Sequence, residues 1–272
     1  MAQCHTVAMP VLPLQHIRMS DRSNVGGKAA SLGELLAAKH PVPPAFVITA
    51  DEQRLTSKLT TEVLQHFDEL ALTHVAVRSS GIGEDGHHQS WAGQFATLLH
   101  VTRSGLPTAI QTCWDSAATP RATAYAGGKT FNLAVVVQHM VYSDTAGVAF
   151  SVNPITGNKQ EVIIEAVYGL GEQLVQGLAT PDNYITNKTN GKLHTQDIAT
   201  KQTMLAYASG KVTEITVDPT MQTKAALMPK QLAEITALVT AIETYYGFPV
   251  DIEWAYENGK LYLLQARPIT TI

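Results

Sequence analysis

The chain has 272 residues, 45% hydrophobic and 15% charged, with a formal net charge of −4; this suits one large domain or two intimate lobes with a full core and excludes a disordered chain. Mild acidity without a basic stripe argues against a nucleic-acid binder, and no apolar run reaches the ~20 residues of a membrane span. Met1 to Pro13 has no Lys/Arg cluster of a signal peptide, and Cys4 and Cys113 make neither a disulfide framework nor a CxxC metal pair, so the expectation is a soluble cytoplasmic α/β or α+β protein.

Gly26-Gly27 precedes a helical pattern carrying Ala29, Leu32, Leu35 and Leu36 and closing near Pro41. Phe46 to Thr49 reads as a strand, and a helix follows with Leu55, Leu59, Val63, Phe67 and Leu70. Val75 to Arg78 is a predicted strand ending in a loop from Ser79 to about Gly93. Gln94 to Val101 is a strand, and Leu106 to Ala118 an amphipathic helix with Ile110, Cys113 and Trp114 on one side. Leu133 to Val141 is almost wholly apolar, as a strand covered on both faces should be. Gly147 to Val152 and Val162 to Ala166 resemble it; Asp182 to Thr186 and Lys192 to Ile198 are weaker. Lys201 to Tyr207 and Lys211 to Val217 flank Ser209-Gly210 as a hairpin. Pro229 opens a helix bearing Leu232, Ile235, Leu238, Val239 and Ile242 that ends at Gly247. Two final strands surround Asn258-Gly259. There is no obvious linker, and two lobes sharing one cleft is the expected organisation.

The last hairpin carries polar chemistry. A two-residue Asn258-Gly259 turn puts Glu253 opposite Leu264 and Ile252 opposite Gln265. A three-residue loop, Glu257 to Gly259, instead gathers Asp251, Glu253, Gln265 and Arg267 on one face and leaves Ile252, Trp254, Tyr256, Tyr262, Leu264 and Ala266 on the other. A one-residue slip moves every side chain to the wrong face, so the apolar pattern favours the longer loop. Two carboxylates and an amide are hard oxygen ligands suited to Mg²⁺, which takes one or two protein groups and fills its shell with phosphate and water; Arg267 can fork onto phosphate oxygens. A surface strand with solvated charges fits the same pattern.

Gly26-Gly27-Lys28 at a helix start offers amide groups and a lysine to an anion, or is a turn with a solvated lysine. Arg78 at a strand end would face the cleft, and the glycines at 81, 83 and 86 allow a close backbone approach to phosphate, although an ordinary flexible loop has the same composition. Neither a P-loop nor a G-x-G-x-x-G fingerprint occurs.

Taken in order, Val25-Gly-Gly-Lys-Ala-Ala-Ser-Leu-Gly-Glu-Leu, Val42-Pro-Pro-Ala-Phe-Val-Ile-Thr, Ala76-Val-Arg-Ser-Ser, Ser90-Trp-Ala-Gly-Gln, Val135-Val-Val-Gln-His-Met-Val, Ala146-Gly-Val-Ala-Phe-Ser-Val-Asn-Pro-Ile-Thr-Gly, Ile164-Glu-Ala-Val-Tyr-Gly-Leu-Gly-Glu, Thr180-Pro-Asp, Asp251-Ile-Glu-Trp and Leu264-Gln-Ala-Arg-Pro resemble the nucleotide-binding domain of phosphoenolpyruvate synthase and pyruvate phosphate dikinase, which rifampin phosphotransferase shares. The resemblance covers nearly the whole chain. It implies an α+β ATP-grasp fold over residues 1–272, two α/β lobes clamping ATP in a shared cleft and meeting near residues 138–145. It implies ATP and Mg²⁺ as cofactors. Lys28 and Arg78 would hold phosphates, and Gly93 and Thr97 would line the triphosphate path. Gln138 would sit near the adenine, Glu253 and Gln265 would bind Mg²⁺, and Arg267 would contact the transferred phosphoryl group. Lys28, Arg78 and Arg267 would thus be the catalytic cations. Family members cleave ATP to AMP and pass the β-phosphoryl group to a histidine on a swivelling domain.

Here the chain stops where that carrier domain would begin, and none of the ten histidines lies in a Gly-Gly-x-x-x-His context. The pyruvate-binding barrel is missing too. The expected activity is therefore AMP-forming phosphotransfer to a histidine of a separate partner; direct phosphorylation of a small molecule and a non-catalytic ATP sensor are the alternatives. Neither a nucleic acid nor a membrane is an expected partner. The run Gly86-His87-His88-Gln89 and Ala96 depart from the family pattern beside the phosphate path. Either one of His87 and His88 accepts phosphate or helps to orient an acceptor, or both are exposed and inert. Glu165, Glu172 and the Gly169-Leu170-Gly171 turn either line the cleft or form a purely structural turn.

Overall fold

The computed structural model describes residues 9–82, 96–119 and 132–270 and is an α+β protein. The described residues divide into two compact units, one of 9–34, 44–82, 96–119 and 132–139, the other of 35–43 and 140–270.

The first unit contains β1 (Val11–Pro13), α1 (Arg22–Ala37), β2 (Ala45–Ile48), α2 (Ser57–Glu69), β3 (His74–Gly81), β4 (Thr97–Thr102), α3 (Leu106–Asp115) and β5 (Leu133–His139). Its strands form one antiparallel sheet in the order β1-β2-β5-β3-β4. Alternation decides which side of the sheet each residue serves. Val75, Val77, Leu133, Val135, Val137, Phe46 and Ile48 form a core with Leu59, Val63 and Phe67 of α2 and Leu106, Ile110, Cys113 and Trp114 of α3. Full burial of each large apolar side chain contributes about 1.5–3 kcal/mol. Thr56 caps α2 by accepting from the Leu59 amide at 3.1 Å, and the Trp114 indole donates to the Leu133 carbonyl at 3.1 Å. The even-numbered residues of β3 are left for the other side.

The second unit contains β6 (Thr145–Phe150), β7 (Glu161–Tyr168), α4 (Glu172–Val175), β8 (Asp182–Asn187), β9 (Leu193–Asp197), β10 (Thr203–Ala208), β11 (Lys211–Thr216), α5 (Pro229–Tyr246), β12 (Val250–Glu257) and β13 (Lys260–Pro268). A six-stranded sheet runs β13-β12-β6-β7-β8-β9, while β10 and β11 pair as the hairpin expected around Ser209-Gly210. Pro229 starts α5 and Gly247 ends it in the left-handed conformation, φ 77°, as a C-terminal glycine allows. The sheet turns one side to α5: the Tyr256 hydroxyl donates to Glu234 at 2.6 Å, and Thr186 and Thr236 share a 2.7 Å hydrogen bond. Gly147 sits opposite Trp254 and Ala166, where an added Cβ would collide with the Glu165 carbonyl and the Trp254 ring.

Three elements differ from the sequence expectation. β3 continues past Arg78 to Gly81 because it is hydrogen-bonded along that length to β5. The helix after Leu106 stops at Asp115, and its remaining turn, Ser116–Ala118, is 3-10. Lys201 lies outside β10. Its buried ammonium instead meets the fully buried Asp182 at 2.5 Å, and Asp182 also accepts from the Ala199 and Ala226 amides. Among the described residues no helix is long and apolar enough to cross a membrane.

Candidate nucleotide site

In the first unit the side of the sheet opposite α2 and α3 carries Arg78, Thr97 and Gln138. Arg78 in β3 is paired with Thr97 in β4 and with Val136 in β5, and Ala76 is paired with Gln138. Directly paired residues share a face, so Arg78, Thr97 and Gln138 lie on one side. Arg78 therefore occupies the strand interior, which corrects the expectation of a strand end. The expectation at Gly93 falls outside the described residues, as do those at His87 and His88.

Ser80 occupies the same side two residues beyond Arg78, and it brings in Lys28. α1 is broken at Gly26, whose φ of 76° and ψ of 170° are not helical. Past the break the helix restarts, and the Ser80 hydroxyl accepts from the Ala29 amide at 3.2 Å. A side chain from a distant strand thus caps one of the amides that every helix start leaves without a partner. Only glycine fits the break. A Cβ at residue 26 would lie 2.5 Å from the Ser80 carbonyl oxygen and closer still to its hydroxyl. Lys28 is the half-buried residue preceding that capped amide. Ser80 as the anchor of the lysine turn was not singled out from sequence; its only signal was the second serine of Val-Arg-Ser-Ser.

Gln138 is 2% exposed, and its amide Nε2 makes no hydrogen bond among the described residues. A buried donor left without an acceptor costs on the order of 1–3 kcal/mol. An acceptor on a ligand would remove that cost.

In the second unit β12 and β13 carry the other group. Asp251 pairs with Arg267, and Glu253 with Gln265, so these four side chains share a face. The device differs from the expected one. Glu257 pairs with Lys260, so the loop is the two residues Asn258 and Gly259, both left-handed at φ 51° and 75°. The register shifts between Glu253 and Trp254, where Leu264 is left over as a bulge. A bulge inserts one residue into one strand, and that insertion restores Gln265 to the Glu253 side. As a further consequence Leu263, fully buried, is the partner of Trp254, while Tyr262 and Leu264 pack with Ala255, Ala146 and Val141. This corrects the placement of Tyr262 and Leu264 beside Trp254.

Asp251, whose role sequence left open, holds Arg267. The Arg267 Nε lies 2.8 Å from both carboxylate oxygens of Asp251, and Nη2 lies 2.8 Å from Oδ2. Such charge-assisted contacts fix the plane of the guanidinium. Farther along the same face stands Glu165, half-buried, its carboxyl pushed above the ordinary range by desolvation. The Gly169-Leu170-Gly171 turn has a structural duty: Gly169 has φ 71° and bridges to Leu205 of β10, and the Leu170 amide donates to the Leu205 carbonyl at 2.7 Å.

Among the described residues no group of three or more His, Cys, Asp and Glu side chains could hold a metal. Glu253 and Gln265 supply two oxygen donors on directly paired positions, with Cβ atoms roughly 4.5–5.5 Å apart. That set fits Mg²⁺ arriving with phosphate oxygens, because the ion keeps most of its shell as water and phosphate.

Residues 51–272 match the model of the pyruvate phosphate dikinase AMP/ATP-binding domain. The chain belongs to this family. It is 36% identical to a probable phosphoenolpyruvate synthase of Archaeoglobus fulgidus over 97% of the chain and 42% of that protein. It is 33% identical to a prodigiosin synthesizing transferase of Serratia marcescens over 96% of the chain and 33% of that protein. The chain therefore spans less than half the length of these relatives. Among solved structures it is similar to a dinucleotide-forming acetyl-coenzyme A synthetase of Ca. Korarchaeum cryptofilum, at a TM-score of 0.48 and 8% identity over 96% of this chain and 94% of that one.

Proposed function

We propose that this dikinase-family domain binds Mg·ATP in the ATP-grasp manner and serves as a phosphotransferase module in which the β-phosphoryl group passes to a histidine of a partner protein and the γ-phosphoryl group to water, so that AMP and inorganic phosphate are released. The observation that carries the reading is the gathering of chemically matched side chains from distant sequence. Lys28, Arg78, Thr97 and Gln138 are collected on one side of the first sheet, and Glu253, Gln265 and Arg267 on one side of the second.

Phosphoryl transfer asks a protein chiefly for positioning and charge neutralisation. Lys28 and Arg78 hold the polyphosphate. Arg267, locked by Asp251, presents its fork to the phosphoryl group in transfer, where charge is spread over three oxygens. The buried Gln138 amide donates to the adenine ring, and Thr97 lines the triphosphate path. Glu253 and Gln265 would hold Mg²⁺, which when bound neutralises phosphate charge. The attacking nitrogen of a neutral imidazole carries a lone pair and no proton, so this domain needs no general base of its own for that transfer.

Direct phosphorylation of a small molecule is the second reading, favoured by the presence of a small-molecule-synthesizing transferase among the relatives. ATP labelled at the β-phosphate separates the two. Mixed with the chain and a histidine-bearing partner, the proposal expects AMP and an acid-labile label on the partner. Label on a small molecule, with the chain alone, would favour the second reading. Tight Mg·ATP binding with no AMP or ADP in any mixture would contradict both and leave a nucleotide sensor.

A further inference from the structure

The face that holds Glu253 and Gln265 continues across the second sheet as one row of directly paired residues: Gln265, Glu253, Val148, Glu165 and Asn183. Glu165 stands two strands from Glu253, roughly 9–10 Å away at the usual strand spacing. On one flank runs an apolar row, Ala255, Ala146 and Val167, and on the other Arg267, Asp251 and Phe150.

Glu165 differs from the other half-buried acids of this unit. Asp251 is met by Arg267, Glu243 by Lys188, Glu161 by the Asn153 amide and Glu257 by the Tyr142 backbone amide. No hydrogen bond or ion pair meets the Glu165 carboxylate among the described residues, and desolvation alone acts on it. A carboxylate that is removed from water without donors is costly. Beside these matched acids, it points to a ligand that brings donors.

Position narrows the donor. A polyphosphate anchored at Glu253, Gln265 and Arg267 would repel a second carboxylate, so the part of the nucleotide over Glu165 is not phosphate. The row of Ala255, Ala146 and Val167 offers an apolar surface suited to the base. The remaining part of a nucleotide is the sugar, and a vicinal diol offers two neutral hydroxyl donors to a single carboxylate, the chemistry by which an acidic residue reads ribose in other nucleotide folds.

We infer that Glu165 accepts hydrogen bonds from the ribose hydroxyls of the bound adenylate and makes this domain selective for ribonucleotides. The inference rests on the ATP-binding reading above and assigns its sugar specificity. A site that hydrogen-bonds a hydroxyl rejects the analogue lacking it because its own polar group is then left without a partner.

The test is equilibrium binding of Mg·ATP and Mg·2′-deoxy-ATP to the wild-type chain, Glu165→Ala and Glu165→Gln, with thermal melting of each. Wild type should prefer ATP by about tenfold or more, the value of one hydrogen bond to a charged group. Glu165→Ala should bring the ratio near one chiefly by weakening ATP, and Glu165→Gln should fall between because its amide oxygen still accepts. Equal affinities in the wild type would overturn the inference, as would a variant that weakens both nucleotides by the same factor. If the wild type prefers ATP and the Glu165 variants keep that preference unchanged, the sugar is read elsewhere and the assignment is wrong. No binding of either nucleotide to a folded wild type would instead overturn the parent reading, and this assignment with it.

Discussion

Replacing Gly26 with alanine probes the break that sets Lys28 in place. The residue has φ 76° and ψ 170°, a region essentially reserved for glycine and costing about 1–3 kcal/mol to other residues. The new Cβ would also sit 2.5 Å from the Ser80 carbonyl oxygen, and overpacking of this kind costs about 1–3 kcal/mol more. The sum is roughly 2–6 kcal/mol, or a fall in melting temperature of about 4–24 °C for a chain of this size. Gly177→Ala is the control: its φ is 70° but nothing lies within 4 Å of the added atom, so only the left-handed strain, about 1–2 kcal/mol, applies. Chemical denaturation of both variants and the wild type gives the two costs, and ATP titration gives the consequence at Lys28. We expect Gly26→Ala to lose more stability than the control and to weaken ATP as well. A Gly26→Ala variant no less stable than the control, with wild-type ATP affinity, would refute the role assigned to the Ser80 contact.

Three other perturbations have defined outcomes. Asp251→Asn keeps the shape of the residue that holds Arg267 but removes its charge; kcat should fall about tenfold or more with little change in melting temperature, and an unchanged kcat would show that Arg267 needs no holder. Lys201→Met strands the fully buried Asp182 carboxylate; we expect about 3–5 kcal/mol of destabilisation by urea denaturation, largely recovered in the double variant with Asp182→Asn. The Cys113 thiol is pushed by burial up to about 11 from 9.0, and because its folded value is the higher one, the stability it contributes is complete below pH 9 and is lost as the pH rises from 9 towards 11. The loss is about 2–3 kcal/mol, and the difference in stability between wild type and Cys113→Ala should shrink across that window; a difference independent of pH would contradict the assignment.

The order of elements was legible because burial writes its period into the chain. Alternation in Val75 to Arg78 and the wholly apolar Leu133 to Val141 located β3 and β5, and the Pro229 and Gly247 pair bounded α5. The face shared by Asp251, Glu253, Gln265 and Arg267 was legible too, since Ile252, Trp254 and Tyr256 alternate to the other side of their strand and only pairing Ile252 with Ala266 keeps Gln265 and Arg267 off that side. How that pairing is reached was not. A tight Asn258-Gly259 turn with a bulge at Leu264 and a longer loop without one produce the same face near the site, and they differ only in where Tyr262 and Leu264 go. Partnerships across long separations stayed hidden for a related reason. Ser80 with Ala29, Lys201 with Asp182 and the row joining Glu253 to Glu165 depend on which strands become neighbours, and periodicity within one segment carries no information about that.

The proposed function requires Arg78 and Glu253 each to contribute to Mg·ATP binding. Isothermal titration of Mg·ATP into the wild type, Arg78→Ala and Glu253→Ala tests it directly, with melting curves to establish folding. The account predicts a single site per chain, weakened about tenfold or more by either substitution, with each variant melting near the wild type. Unchanged affinity in one of the two folded variants would contradict it.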